Sequence, residues 1–398
     1  MLKRLRISNF KSISDQPVHL QKLNVLIGAN AAGKSNFVDA IRFIHEILED
    51  RISRAIGKRL GWMNVLKRGE DGKSKISFEI NCSLKSVSSK PILKKKAYKP
   101  IDCEYKLETT YSRKQYFIDS EIFKAKMEHS GKETTESFNR SRNKIQFSDS
   151  VFLGKKRKDM SIPTQLKDTP FIQTGFFFIS SFLLTNLVES WRFYDFDVNA
   201  ARRPCIEESE GFLLDDGHNL AAVLDKLRAS SSRTIKKRVL NLMSILVPGF
   251  EDWKTEMQFD GSLGFTVTEK GIEKPLLPKM VSDGTVRLLS ILLALLYQPT
   301  QTALICIDEP ERYLHPQVLG TLVEIMRDVS EKTQIIVTTH SAELIKNLQP
   351  SEVLLVDKKD GITHIVRAQD VSMVDKFLEE FSLDELWLRG YLKGGMVF

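Results

Sequence analysis

The chain has 398 residues, of which 42% are hydrophobic and 28% charged, an ordinary composition for a globular protein. This length accommodates one large domain, or a core domain that carries a large insertion. The longest apolar run, residues 288–296, is about half the length of a membrane span, and residues 1–10 contain no signal-peptide apolar region. These features argue against a membrane protein and predict a cytoplasmic location.

Positive charge is concentrated in one part of the chain. The formal net charge is +8, and residues 81–170 alone hold 20 Lys and Arg against 11 Asp and Glu. Such a region is typical of a surface that contacts nucleic acid or an acidic partner, or of a solvated, lysine-rich insertion. Both interpretations stay open, because no aromatic residues are interleaved with the basic ones in a stacking pattern.

The first part of the chain predicts strands followed by one long helix. Short apolar runs at residues 2–7 and 23–27 are typical of strands, and apolar spacing over residues 34–49 predicts an amphipathic helix. The polar stretch 130–158 predicts a loop or a hairpin extension. The further strands predicted in this part are 76–84, 104–110 and 115–118.

The remainder predicts a helical lobe and then a parallel sheet. Residues 175–180 have the aromatic content of a strand, and residues 219–228 and 233–247 have helical patterns. From residue 281 helices alternate with wholly apolar strands, as in a sheet that is covered on both faces. These strands are 303–307, 334–338 and 353–356. The resulting fold class is α/β, with predicted parts 1–170, 171–275 and 276–398.

Residues 28–35 read G-A-N-A-A-G-K-S and fit the pattern of a phosphate-binding loop between a strand and a helix. Gly28 and Gly33 let the backbone curl so that its N–H groups point at phosphate oxygens, next to the positive end of the helix. Lys34 supplies a full charge to the β- and γ-phosphates, and the Ser35 hydroxyl is a ligand for Mg²⁺. The predicted nucleotide-binding residues of this segment are Gly28, Asn30, Gly33, Lys34, Ser35 and Asn36.

A second motif places two acids at the end of an apolar strand. Residues 302–310 read T-A-L-I-C-I-D-E-P, and successive side chains at a strand end point in different directions. Asp308 is therefore predicted to hold Mg²⁺, and Glu309 to polarise the attacking water. Taken alone, the pair is also compatible with an ordinary boundary between a strand and a turn.

Two further candidates lie before and after this strand. Ser282 and Gly284 stand at the start of a helix, where they could bind a phosphate, although a simple helix cap explains the same residues. His340 closes the strand 334–338, where it could contact a γ-phosphate, although a single histidine is more often structural or exposed. Ser341 could equally cap a helix.

Read in order, these motifs resemble the nucleotide-binding head of the ABC superfamily: Walker A, signature, Walker B with a catalytic glutamate, and switch histidine. Their spacing resembles the non-transporter branch, which includes RecF, SMC and OLD-family proteins. Residues 7–12, I-S-N-F-K-S, are similar to the opening of that branch, and residues 308–316, D-E-P-E-R-Y-L-H-P, to its extended Walker B motif. The resemblance is specific over residues 1–50 and 276–398.

The middle of the chain matches more loosely, through residues 191–195 and 216–220, and looks like the stand-alone prokaryotic ATPases of anti-phage modules. The resemblance implies an α/β head of the ABC type, with a P-loop, a mixed sheet, an inserted α-helical lobe at 171–275 and a basic insertion at 81–170. A full family signature reads L-S-G-G-Q, whereas residues 281–285 read V-S-D-G-T, so Asp283 must point away from the phosphates.

The resemblance also implies a mechanism with ATP and Mg²⁺ as cofactors. Two copies form a head-to-tail homodimer, or a higher homo-oligomer, in which Ser282 and Gly284 of one copy contact the ATP bound by the other. Lys34, Glu309 and His340 are then the expected catalytic residues, and Ser35 and Asp308 the metal ligands. Gln173 is a candidate for the Mg²⁺-sensing glutamine of this family.

Two functions follow as hypotheses. The first is an ATP-gated sensor or regulator of a separate effector, a nuclease or toxin encoded nearby, since the 58 residues after His340 contain no acidic cluster of the Toprim type. The second is a RecF-like clamp that contacts DNA through residues 81–170. Asp119, Glu121 and Lys124 have the wrong spacing for a nuclease core, and a surface hairpin is the favoured interpretation there. A transporter motor is disfavoured, because the motifs resemble the other branch.

Overall fold

The computed structural model describes residues 1–72, 74–84, 101–129, 132–148, 159–174, 179–206, 211–228, 233–298, 301–371 and 374–392. The strands are β1 (Leu2–Phe10), β2 (Ile13–His19), β3 (Leu23–Ile27), β4 (Ile76–Leu84), β5 (Ile101–Ser112), β6 (Gln115–His129), β7 (Lys132–Ser141), β8 (Lys144–Ser148), β9 (Asp159–Ser161), β10 (Arg192–Tyr194), β11 (Phe250–Met257), β12 (Leu263–Glu269), β13 (Leu304–Asp308), β14 (Gln334–Thr339), β15 (Val353–Lys359) and β16 (Ile362–Arg367).

The helices are α1 (Lys34–Glu49), α2 (Ile52–Gly57), α3 (Trp62–Val65), α4 (Ile179–Glu189), α5 (Val198–Ala201), α6 (Leu220–Lys226), α7 (Arg233–Leu246), α8 (Asp283–Leu296), α9 (Pro316–Ser330), α10 (Ala342–Ile345), α11 (Val374–Phe377) and α12 (Leu383–Leu388). Within the described ranges, none of these helices has the length and apolar character that crossing a membrane requires.

The chain divides into two compact units. The first unit comprises residues 1–191, 350–379 and 390–398, and the second comprises residues 192–349 and 380–389. Each unit contains one of the predicted functional segments, the phosphate-binding loop in the first and the acidic strand end in the second. The division into residues 1–170, 171–275 and 276–398 stays a prediction.

The first unit is built on an antiparallel sheet in the order β2-β1-β4-β5-β6-β7-β8-β9. Alternate residues of β4 are buried, as the period of two in a half-buried strand requires. Phe10 of β1, Phe43 of α1 and Phe78 of β4 pack together with ring centroids 5.4–6.0 Å apart. This aromatic cluster fixes the long helix α1 against the sheet.

A second set of strands in the first unit carries the phosphate-binding loop. All five residues of β3 are buried, β3 pairs in parallel with β15, and β15 pairs antiparallel with β16. Because every residue of β3 except Asn24 is apolar, the strand is restricted to the interior, and the loop that follows it emerges at the end of the strand. The predicted bounds of the strand 23–27 and the helix 34–49 are confirmed.

The second unit has a parallel arrangement in the order β10-β13-β14. The first four residues of β13 are buried and its last residue, Asp308, is partly exposed, so the acids stand where the strand leaves the interior. Helix α8 is apolar on nearly all sides and is buried along most of its length. The predicted helices at 219–228 and 233–247 are confirmed as α6 and α7, and the antiparallel hairpin β11–β12 follows them.

The predicted strand at residues 175–180 is wrong where the structure describes it. Residues 175–178 lie outside the described residues, and Ile179 begins helix α4. Ser180, Leu184 and Val188 are buried at helical spacing, as the packing of one helix face requires. In the stretch 130–158, β7 and β8 form the hairpin that was one of the two alternatives.

Glu121 lies on β6 of the β5–β6 hairpin, but its side chain is buried and not at the surface as the sequence predicted. Its side chain is fully buried and lies 3.3 Å from Arg140, and its carboxylate accepts hydrogen bonds from the backbone N–H groups of Phe171 and Ile172 and from the Tyr105 hydroxyl. Burial raises the pKa of this carboxyl above its usual value, against the opposing effect of Arg140. All the polar capacity of Glu121 is used inside the fold, which removes it from any nuclease cluster.

We expect Arg140→Ala to lower the free energy of unfolding by about 3–5 kcal/mol, because it leaves the buried Glu121 carboxylate without its charge partner. The matched control is Arg142→Ala, since Arg142 pairs with Asp119 on the surface and its loss costs about 0–1 kcal/mol. Guanidinium unfolding of the two variants measures the difference. Equal losses would contradict the structural role of the buried pair.

Candidate nucleotide-binding site

The loop between β3 and α1 presents backbone N–H groups without a side-chain cap. Gly33 is the N-cap residue of α1, it offers no capping side chain, and the first turn contains no acidic residue. Since the first four N–H groups of a helix lack internal partners, they attract an anion together with the helix dipole. Asn30 and Ser35 are exposed at this end of the helix. The segment therefore fits the phosphates of a nucleotide.

Only glycine fits at two positions of the loop. A Cβ on Gly28 would lie 2.2 Å from the carbonyl oxygen of Val356 on β15, and a Cβ on Gly33 would lie 2.1 Å from the hydroxyl of Thr363 on β16. Gly33 also has a φ of 115°, which a residue with a side chain rarely adopts. The predicted need for both glycines thus has a steric cause as well as a conformational one.

A buried network of hydroxyl groups holds the loop from behind. The Thr363 hydroxyl donates to the carbonyl oxygen of Ala32 at 2.9 Å, and it lies 2.6 Å from the hydroxyl of Ser12 in the β1–β2 turn. The Asn36 side chain donates to the Ser12 hydroxyl at 2.6 Å, and the Thr363 N–H donates to the Ser12 carbonyl oxygen at 2.8 Å. Asn36, predicted as a nucleotide ligand, is placed where it supports the loop.

Lys34 is buried against the phosphate-binding loop. Its ammonium group donates to the carbonyl oxygens of Gly28 at 2.9 Å and Ala29 at 3.2 Å, and only 5% of the residue is exposed. These contacts hold a positive charge beside the uncapped helix end, where a phosphate would gain from both. The hydrogen-bond donors of this segment consequently fit a nucleoside triphosphate. The hydroxyl of the exposed residue Ser35 fits one position in the coordination shell of Mg²⁺.

Gln173 does not lie where a metal-sensing glutamine is required. Its side-chain amide donates to the carbonyl oxygens of Ile47 and Asp50, both at 2.9 Å. These carbonyls belong to the C-terminal end of the 16-residue helix α1, about 24 Å along the helix axis from the phosphate-binding loop. The structure therefore contradicts Gln173 as a candidate, and the residue acts as a helix cap.

We expect Thr363→Val to weaken nucleotide binding roughly fivefold, because each buried hydrogen bond contributes about 1 kcal/mol and the loop loses the one to Ala32. Thr363→Ser retains the hydroxyl and is the matched control. Titration with a fluorescent ATP analogue measures both affinities. The role of the network fails if Thr363→Val binds nucleotide as tightly as Thr363→Ser.

The second unit brings the predicted catalytic acids and the histidine together. Asp308 accepts a hydrogen bond from the Thr338 hydroxyl, and the Glu309 N–H donates to the carbonyl oxygen of Thr338 at 3.1 Å. One oxygen of the Glu309 carboxylate lies 3.6 Å from Nε2 of His340, and the other lies 3.2 Å from Nε of Arg312. Glu309 has a φ of 42°, in the left-handed region that a non-glycine residue adopts rarely.

Sequence reasoning gave no role to Glu311, which orders the end of β14. Its carboxylate accepts hydrogen bonds from the Thr339 hydroxyl at 2.6 Å and from the N–H of His340 at 3.0 Å. The histidine is therefore held at its backbone by the same D-E-P-E motif that supplies Glu309. Ser341 accepts a hydrogen bond from the Leu344 N–H, so the interpretation of Ser341 as a helix cap is confirmed.

The signature segment combines a helix cap with a close backbone contact. Ser282 is the N-cap of α8 and is exposed, and the Asp283 carboxylate lies 2.6 Å from a guanidinium nitrogen of Arg202. A Cβ on Gly284 would lie 2.6 Å from the carbonyl oxygen of Tyr313, so only glycine fits beside the turn that follows the catalytic acids. The capping interpretation of Ser282 is correct, and it is compatible with phosphate binding by the same helix end.

Family models match most of the chain in two pieces. Residues 1–190 match a model described as "AAA ATPase domain", and residues 180–346 match one described as "AAA domain, putative AbiEii toxin, Type IV TA system". An 83-residue stretch is 39% identical to the DNA double-strand break repair Rad50 ATPase of Sulfolobus acidocaldarius, which is 20% of this chain and 9% of that protein.

Two solved structures share the fold. An Smc head bound to the C-winged helix domain of ScpA has a TM-score of 0.54 and 13% identity, over 92% of this chain and 97% of the other. A second, the Smc head from Pyrococcus furiosus bound to the C-terminal domain of ScpA, has a TM-score of 0.53 and 11% identity, over 95% and 99%. The family models and the stretch similar to Rad50 support an ABC-type ATPase of the SMC/RecF-like branch. The predicted α/β head fold of this ATPase is thereby confirmed.

Proposed function

We propose that this ABC-type ATPase is a switch in which two copies dimerise head to tail around two ATP·Mg²⁺ and thereby regulate a separate effector. The observation that carries the proposal is the exposed signature segment at the N-terminus of α8. Ser282 and the N-terminus of α8 would bind a phosphate of the ATP that a second copy holds. Gly284 also contacts the turn that follows Asp308 and Glu309 of the same chain.

The phosphate-binding loop supports the ATP-holding role of the first unit. Lys34 and the uncapped N–H groups of α1 would bind the phosphates, and the Ser35 hydroxyl would be a ligand for Mg²⁺. Mg²⁺, when bound, neutralises the charge that develops on the phosphates. The loop needs no large rearrangement for this role, because its backbone is already fixed by Thr363 and Ser12.

The pair of Glu309 and His340 supports hydrolysis as the step that resets the switch. A carboxylate held at a strand end can orient and polarise water, and a histidine beside it can respond to the phosphate. Arg312 forms an ion pair with the second carboxylate oxygen of Glu309 in the single chain. ATP would favour the dimer because only that state uses the contacts of both chains.

The effector is proposed as a nuclease or toxin encoded nearby, in a module of the anti-phage type. The matched family description that names a toxin–antitoxin system supports this context. Among the described residues, no group of three or more His, Cys, Asp and Glu side chains is arranged to hold a metal ion, as a fused metal-dependent nuclease would need. If the purified chain degraded DNA with Mg²⁺, and did so equally as Lys34→Ala, a separate effector would not be required.

Light scattering tests the dimer. We expect Glu309→Gln to double in mass with ATP·Mg²⁺, because ATP binds but the resetting step is blocked, and we expect Ser282→Arg on top of it to abolish the increase. Ser244→Arg, on an exposed position of α7, is the matched control and should leave the increase intact. A mass that never changes with ATP would contradict an ATP-gated dimer.

The alternative function is a RecF-like clamp that binds DNA in repair. The excess of basic residues at 81–170 and the stretch similar to a DNA repair ATPase support it. The lysines that carry this hypothesis lie outside the described residues; they are Lys94, Lys95, Lys96, Lys155, Lys156 and Lys158.

Duplex DNA titrations separate the two functions. A clamp should bind with ATP, lose roughly a thousandfold or more in affinity between 50 and 200 mM salt, and lose binding when the six lysines are neutralised. A regulator of a protein effector should show neither effect. ATP-dependent, salt-sensitive binding would therefore favour the clamp.

A further inference from the structure

One arginine side chain holds the residues on both sides of Ser282. Arg202 stands at the C-terminal end of α5, and one nitrogen of its guanidinium donates to the Val281 carbonyl oxygen at 2.6 Å. The same nitrogen lies 2.6 Å from the Asp283 carboxylate. Arg202 therefore fixes the backbone immediately before the serine and the charge immediately after it.

Arg202 is held by the fold, whereas the acid that it pairs with faces solvent. The Arg202 side chain is 15% exposed and the Asp283 side chain is 49% exposed. Asp197 caps the start of α5, and the Arg202 N–H donates to the Val198 carbonyl oxygen at 3.2 Å at its end. Because the guanidinium is already confined, pairing with Asp283 costs less side-chain freedom than an ion pair between two exposed residues does.

A carboxylate at residue 283 has opposite effects on the helix and on a bound phosphate. Asp283 lies in the first turn of α8, where a negative charge stabilises the helix through its dipole. The same charge would repel a phosphate that binds at this helix end, since like charges a few ångströms apart oppose association. A signature with glycine at this position does not meet this conflict.

The position of Arg202 resolves the conflict. Among the described residues, it is the cation that pairs with Asp283. Because the nitrogen that meets the carboxylate also binds the Val281 carbonyl oxygen, the carboxylate is drawn toward the chain that precedes the helix. The Ser282 hydroxyl and the N-terminus of α8 are then left to the phosphate.

We propose that Arg202 is a positioning residue that enables this signature to bind ATP, because it neutralises Asp283 and directs that carboxylate away from the phosphates. The inference rests on the proposed head-to-tail dimer, and it adds the residue on which capture of the partner's ATP by Ser282 depends. Arg202 acts through Asp283 and Val281 and does not itself contact the nucleotide.

Light scattering of the Glu309→Gln chain at increasing ATP·Mg²⁺ tests the proposal. Adding Arg202→Gln should raise the ATP concentration for half of the mass increase roughly tenfold or more, because Asp283 is left without its counter-charge. Glutamine can still donate to the Val281 carbonyl oxygen, so the change removes mainly the charge. Arg203→Gln, at the exposed neighbouring arginine, is the matched control and should leave the ATP requirement unchanged.

Removal of the acid should rescue the loss. Asp283→Asn alone should assemble at the same ATP concentration as the Glu309→Gln chain or at a lower one. Arg202→Gln combined with Asp283→Asn should return to that concentration, which a merely structural role of Arg202 would not produce. Thermal unfolding, and the affinity of the single chain for a fluorescent ATP analogue, should be the same in all these variants.

Three outcomes overturn the inference. If Arg202→Gln assembles at the unchanged ATP concentration, Asp283 needs no counter-charge. If Asp283→Asn does not reverse the loss caused by Arg202→Gln, the arginine supports the backbone alone. If the Glu309→Gln chain itself never gains mass with ATP, the head-to-tail dimer fails, which is distinct from a loss confined to the Arg202 variant.

Discussion

The uncapped N-terminus of α1 is the constraint on which the phosphate-binding loop depends. A side-chain cap contributes about 1 kcal/mol to a helix, and Gly33 contributes none. The N–H groups stay available because the loop is held from behind by Thr363 and Ser12, and because Gly28 lets β15 approach to a distance that excludes a side chain. The first unit gives up stability at this point and gains a preformed site for an anion.

In the second unit, Glu309 is held in place by contacts with the surrounding backbone and side chains. The Glu309 carboxylate needs a fixed direction to act on water, and its backbone has a strained φ of 42°. The Glu309 N–H donates to the Thr338 carbonyl oxygen, and the Glu309 carbonyl oxygen accepts from the Arg287 guanidinium. Strain that is maintained by specific contacts can be changed by moving those contacts. Arg287 lies on α8, so this helix contributes to holding the backbone of Glu309.

Local patterns predicted the parts of the fold that local forces determine. The run of apolar residues in β3 and the helical spacing in α1 led to bounds that the structure confirms, because burial on both faces and one buried helix face leave clear signatures. The sequence placed Glu309 and His340 each at a strand end, and the structure brings their side chains to 3.6 Å because β13 and β14 are parallel neighbours.

Contacts between residues far apart in the sequence could not be predicted from local patterns. Thr363 lies 331 residues from Ala32, whose carbonyl oxygen it binds, and nothing in its own neighbourhood indicates that role. Glu121 was expected on a surface hairpin, yet it is buried against Arg140, which lies on the adjacent strand and 19 residues further along the chain. Gln173 has a suitable residue type but caps the wrong end of α1.

Cross-linking between chains tests the central claim, that the signature of one copy completes the ATP site of the other. Met280 and Ala29 are exposed beside the signature and in the phosphate-binding loop, whereas the four native cysteines are buried. Met280→Cys chains and Ala29→Cys chains, both carrying Glu309→Gln, should form a mixed cross-linked dimer with a short dithiol reagent only when ATP·Mg²⁺ is present. A cross-link that forms equally without nucleotide, or none at all between the two chains, would contradict the account.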